Sequence, residues 1–123
     1  MAIKIPLNKF RRVSARITTV AQNIYTAPLE RAAIIIQAQV TNRSPIETTC
    51  TAYVSALGDP ITYKLVEQFP IPAYDARNIL SGRLILQGVD GGSITKPDSF
   101  IILAESSDRL DINLGILETK NTD

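Results

Sequence analysis

"VEQFPIPAYDARNILSGRLILQGVDGG", residues 66–92, decides the fold. Strand-forming residues lie at Val66 and Phe69 on one side and at Leu84, Ile85 and Leu86 on the other. Between them, residues 67–78 hold Pro70, Pro72, Tyr74 and several charges. Proline has no N–H to give to a sheet ladder, so the chain leaves its sheet here. Each proline also pushes its predecessor, Phe69 or Ile71, into extended geometry. An extended, unpaired segment of this length carries a chain from one sheet to another across the end of a sandwich. The strand resumes over 78–88, where Gly82 marks a bulge or bend.

Working outward, a period of two dominates. Val13, Ala15 and Ile17 share one face of a first strand, opposite Arg12, Ser14, Arg16 and Thr18. Residues 22–28 continue extended to a turn at Pro28, Leu29 and Glu30. "RAAIIIQAQVTN" (31–42) is the strongest strand, with Ile34, Ile36, Ala38 and Val40 facing one way and Ile35, Gln37, Gln39 and Thr41 the other. Its branched residues and clean alternation disfavour a helix. Further strands read over 47–57, with Cys50, Ala52, Val54 and Ala56 in phase, and over 61–69, with Ile61, Tyr63 and Leu65 in phase. The last pair, 99–106 and 109–118, is joined through "SSDR" as a short hairpin, and Leu110, Ile112, Leu114 and Ile116 alternate along its second member. The pattern predicts an all-β fold, a two-sheet antiparallel β-sandwich of jelly-roll type with seven or eight strands.

With 123 residues, the chain has room for one domain and a core that needs no staples. A single cysteine, Cys50, excludes an internal disulfide. No unbroken apolar run exceeds five residues, so no membrane-spanning helix is expected. No apolar region follows the basic residues at the start, so no signal peptide is expected. The net charge of +1 hides an asymmetry. Residues 1–20 carry Lys4, Lys9, Arg11, Arg12 and Arg16 and no acid, whereas the rest carry eight bases and twelve acids. Five of those acids fall from Glu105 onward. A basic start and an acidic finish can pair head to tail between copies. Nucleic acid is a poor partner, because the acidic body repels phosphate.

Little in the sequence supports catalysis. Without histidine, there is no serine–histidine or cysteine–histidine nucleophile and no imidazole metal ligand. Cys50 lies on the apolar face of its strand as a core thiol. Asp59, Asp75, Asp90 and Asp98 stand beside Gly or Pro or in loops, where aspartate serves turns. Asp75 and Asp90 are the residues an unrecognised hydrolase would use, and Asp90 with Asp98 would be the start of a calcium loop. Neither pair has ligand spacing to match. "GVDGGS" (88–93) lacks the lysine and helix of a phosphate loop. "NRS" (42–44) matches a glycosylation acceptor by chance. The sequence therefore predicts no enzyme, no cofactor and no metal.

Three blocks carry a resemblance. They are "YTAPLERAAIIIQAQVTNRS" (25–44), "FPIPAYDARNILSGRLILQGVD" (69–90) and "LDINLGILE" (110–118). Together they resemble a family of small β-sandwich virion proteins of tailed bacteriophages, including cyanophages. The resemblance spans residues 24–118 and implies a non-enzymatic structural protein. Such a protein is made in the host cytoplasm and located in the virion as a capsid decoration or cement protein, or a neck or tail accessory. Copies of itself and other virion proteins are the implied partners. The chain departs from the family in its long basic start.

The expected organisation is a basic extension over 1–10, a sandwich over 11–118 and a tail over 119–123. The arm offers Ile3, Lys4, Ile5, Leu7, Lys9, Phe10, Arg11, Arg12 and Arg16 to a neighbour. Ile3, Ile5 and Leu7 alternate, so residues 3–7 can add a strand to an open sheet edge. Tyr74 and Arg77, in the loop 69–79, form the second contact. An alternative use of the same fold is a carbohydrate- or receptor-binding module of a viral fibre or baseplate. Its glycan platform would be Tyr74, the one tyrosine outside the strands.

Overall fold

The computed structural model describes residues 8–56, 62–89 and 96–120. Nine strand segments occur there: β1 (Asn8–Arg16), β2 (Gln22–Thr26), β3 (Arg31–Asn42), β4 (Thr48–Ala56), β5 (Tyr63–Ile71), β6 (Ala76–Asn78), β7 (Leu84–Gln87), β8 (Asp98–Ala104) and β9 (Leu110–Lys120). No helix among the described residues is long and apolar enough to cross a membrane.

All pairings are antiparallel, in two sheets. The first runs β1-β9-β3-β6, with β7 also on β3, and the second runs β2-β8-β4-β5. One position of the first sheet is thus shared by two short pieces, β6 and β7. The chain changes sheet at every connection but β4–β5 and β6–β7. Paired Greek keys of this kind make a jelly roll. The core lies between the layers, with Phe100, Ile17, Ile35, Ile71, Leu86 and Ile102 among its fully buried side chains. Along β9, Leu110, Ile112, Leu114 and Ile116 are all buried, as their alternation requires.

Proline places the sheet change as expected but later. β5 continues through Phe69, Pro70 and Ile71, which pair with Cys50, Thr49 and Thr48. The last strand in a sheet order tolerates proline because one side of its ladder is open. The chain then crosses over Pro72–Asp75 alone and enters β6. Gly82 sits in the bend between β6 and β7.

Two expectations are corrected. In β3 the inward residues are Ala33, Ile35, Ala38, Val40 and Asn42, so Ile34 and Ile36 face outward rather than joining Ala38 and Val40. The cause is a bulge between Ile35 and Gln37 that inserts Ile36 and flips the phase. The final two strands also do not form a hairpin. β8 pairs with β2 and β4, whereas β9 pairs with β1 and β3. The turn between them, with Asp108 at φ 63°, carries the chain over the sandwich end.

Candidate interaction surface

β1 begins at Asn8 and pairs along its whole length with β9, from Asn8↔Thr119 to Arg16↔Asp111. Asn8, Lys9 and Phe10 therefore belong to the sheet. Ile3, Lys4, Ile5 and Leu7 lie outside the described residues. Because the two strands are antiparallel, the basic start meets the acidic finish within one chain. Arg16 Nε lies 3.1 Å from Asp111 Oδ1, and Arg43 Nε lies 3.1 Å from Asp111 Oδ2. These pairs are exposed enough to contribute only about 0–1 kcal/mol each.

Arg11 points the other way, onto the inner face with Val13 and Ala15. Its Nη1 lies 3.3 Å from Oε2 of the buried Glu118. The same oxygen accepts a 2.5 Å hydrogen bond from the hydroxyl of buried Tyr25. Burial, and then the hydrogen bond and negative charge of Glu118, push the Tyr25 phenol well above its ordinary range; Arg11 and Arg31 act in the weaker, opposite sense. Glu118 is thus a structural acid that ties edge strand β1 to β2 through Tyr25. The sequence lists it with the acidic finish and gives no sign of its burial.

The outer face of the first sheet divides by chemistry. At one end Ser14 Oγ donates to Asn113 Oδ1 at 2.5 Å, beside Gln39. Arg12 stands opposite Gly115 and makes no ion pair among the described residues. At the other end the register sets Phe10 opposite Leu117, Leu117 opposite Ile34, and Ile34 opposite Ile85. Phe10 is 76% and Ile85 62% exposed. An apolar row therefore crosses four adjacent strands on a solvent-facing side, where isolated apolar residues would be unremarkable but a contiguous row marks a contact. Phe10 alone of this row was visible in the sequence, since the register that aligns the others is a tertiary fact.

The second expected contact is a separate one at a sandwich end. Tyr74, at φ 56° and 72% exposed, donates its backbone N–H to Ser44 O at 3.2 Å. Arg77 Nε reaches Asp75 Oδ2 at 3.0 Å. A backbone hydrogen bond from Ala76, then Arg77, hold the Asp75 carboxyl below its usual range. Asp75 is thus a turn residue. Asp98 accepts the Gln87 N–H at 2.9 Å, and Asp59 and Asp90 lie outside the described residues. No cluster of three metal-ligating side chains occurs among the described residues.

Cys50 is buried, and burial pushes its thiol up from 9.0 to about 12. Its thiolate is disfavoured in the fold, so the resulting stability is full below pH 9 and is lost as pH rises toward 12. The expected slope is about 1.4 kcal/mol per pH unit within that window. Urea denaturation from pH 8 to 11 should show Cys50→Ala flattening the decline. An unchanged slope would refute the assignment.

A last feature is a groove of about 360 Å³ between β5 and the β6–β7 break. Leu65, Val66, Phe69, Leu80 and Leu84 line it, all half-buried against the core.

No protein-family model and no curated protein matches the sequence. Among solved structures, the chain is similar to one of infectious bursal disease virus, Gx strain, with a TM-score of 0.52 and 12% identity over 90% of this chain and 32% of that one. Similar too are an infectious bursal disease virus VP2 subviral particle (TM-score 0.46, 10% identity, 93% and 33% coverage) and infectious bursal virus derived T=1 particles (TM-score 0.48, 11% identity, 93% and 32% coverage). The first likeness is one of fold, a shared two-sheet sandwich. The present chain spans about a third of the length of these viral chains.

Proposed function

We propose that this protein is a non-enzymatic structural component of a virus particle, assembling in multiple copies with itself and other virion proteins. The observation that carries the reading is the sheet order, β1-β9-β3-β6/β7 over β2-β8-β4-β5, in a fold like that of a chain from a virus structure. The chemistry agrees: the sequence has no histidine, the one thiol is buried, Asp75 serves a turn, and Asp98, in β8, holds the Gln87 backbone N–H. Within a particle, the role we favour is decoration or cementing of a tailed-phage capsid, or an accessory place at the neck or tail.

Residues 1–7 and the row led by Phe10 are the proposed contacts, with Tyr74 and Arg77 as a second. Arg11 and Arg16 are engaged inside the chain, whereas Lys9 and Arg12 make no ion pair among the described residues and are offered to a partner's acids. The contact is then chiefly apolar, and high salt should weaken it little. Light scattering on the full chain should give an oligomer that persists at high salt and falls to monomer when residues 1–7 are deleted, with the melting temperature kept. A chain that is monomeric at every concentration, or an oligomer indifferent to the deletion, would sink the proposal. Tyr74, presented on a loop, keeps glycan binding as a second reading; a glycan array with Tyr74→Ala as control tests it.

A further inference from the structure

We infer that the groove between β5 and the β6–β7 break receives residues 3–7 of a neighbouring copy, which add to the open side of β5 as an extra strand. The inference rests on the arm being the assembly contact, and it names the receptor. Among the described residues β5 ends its sheet order and is paired on one side, with β4. Opposite it, the first sheet is interrupted between Asn78 and Leu84. The flank between the layers is therefore open, and half-buried Leu65, Val66, Phe69, Leu80 and Leu84 face the gap. An unpaired strand edge beside an apolar trough is the arrangement that strand addition requires: main-chain hydrogen bonds supply affinity, and alternate side chains fill the trough.

The arm sequence fits in phase. In an extended chain the residues whose side chains share a face also send their N–H groups to the same side. If Ile3, Ile5 and Leu7 fill the groove and bond to β5, then Lys4 and Pro6 face away. Pro6, which has no N–H, then stands where no ladder bond is needed. Lys4 stands in water.

Length decides between the chain's own arm and a neighbour's. Asn8 lies opposite Thr119, Thr119 opposite Ala32, and Ala32 opposite Gln87. Three strand spacings thus separate the start of β1 from β7, about 14 Å. The second sheet lies about 10 Å away at right angles to this, which puts β5 about 17 Å off. Seven extended residues reach at most about 25 Å. A chain's own arm would spend about five residues arriving and keep about two, too few for residues 3–7 to pair with β5. A second copy has no such constraint, and a head-to-tail contact of this type builds a ring or an open filament, according to the rotation between copies.

Cysteine trapping tests this on the full chain in a Cys50→Ala background. Ile5→Cys and Ser81→Cys proteins, Ser81 being exposed on the groove rim, are mixed under copper–phenanthroline and analysed by intact mass. The expected product is the mixed disulfide, at least tenfold above either homodimer. A chain carrying both substitutions should give multimers rather than an internal loop. An internal loop would overturn the neighbour assignment. No mixed disulfide, in a protein whose oligomer is lost on deleting residues 1–7, would overturn the groove but leave the arm. An oligomer unaffected by that deletion would overturn the arm reading itself. Leu80→Lys gives a second readout: the oligomer should dissociate, with the monomer still melting cooperatively. An intact oligomer would count against the groove.

Discussion

Asn42→Asp should destabilise the domain by about 3–5 kcal/mol at pH 7, although it changes one atom. Asn42 is buried at the end of β3 and uses its whole amide. Nδ2 donates to Ile46 O at 2.8 Å and to Ile71 O at 3.0 Å. Oδ1 accepts from Ser44 N at 2.9 Å and from Ser44 Oγ at 2.8 Å. Its backbone N–H meets Asp75 O at 2.8 Å. One side chain thus fastens the 42–46 turn to the end of β5, where the chain begins its crossing. Aspartate keeps the acceptor but sets a charged oxygen against two carbonyl oxygens in a dry site. Each orphaned carbonyl costs about 1–3 kcal/mol. The introduced carboxyl would have its pKa raised by the fold, so the defect should shrink as pH falls from 7 to 4. Urea denaturation of the variant and the parent at both pH values checks this. A midpoint within error of the parent's at pH 7 would show that Asn42 is dispensable. The same burial explains why the N-R-S match is no glycosylation site in the folded chain.

Gly88→Ala should cost about 3 kcal/mol, and melting should drop by about 10 °C or more. Gly88 follows β7 and donates its N–H to Arg31 O at 2.8 Å, while Glu30 N–H reaches Val89 O at 2.8 Å. This draws the strand end against the Pro28–Arg31 turn. A Cβ at Gly88 would overlap Pro28 O and lie 2.7 Å from Arg31 O. Both obstacles are main chain, so no side chain can swing away; the turn itself must move. Gly82 provides the control, since a Cβ there meets nothing within 4 Å. Gly82→Ala should melt within about 2 °C of the parent, because the change adds no clash and reduces unfolded-state freedom. Equal melting of the two variants would refute the steric account.

Parts of the surface were legible before any coordinates. Arg12, Ser14 and Arg16 read as an outward face, and they are one. Tyr74 reads as a loop tyrosine, and it is exposed. Phe10 reads as part of an arm and instead opens a cross-strand row with Leu117, Ile34 and Ile85, which are far apart in the chain. Glu118 is only one of the acids counted near the C-terminal end, and it is buried under Tyr25. Both placements escape the sequence for one reason: an alternating pattern says that a residue lies on one of two faces, but not which strand stands beside it.

By itself the sequence determined the elements and the class. Alternation in β1, β3 and β9 sets strands that must each bury one face, and Pro72 stands where β5 ends and the chain changes sheet, so two layers follow. Tertiary structure alone decided the phase at the Ile36 bulge, the split of β8 and β9 between sheets, and the pairing of β1 with β9 that sets Arg11 on Glu118 and Arg16 on Asp111. Those outcomes depend on register and strand order. They arise from contacts between residues tens of positions apart, whose energies no local pattern contains.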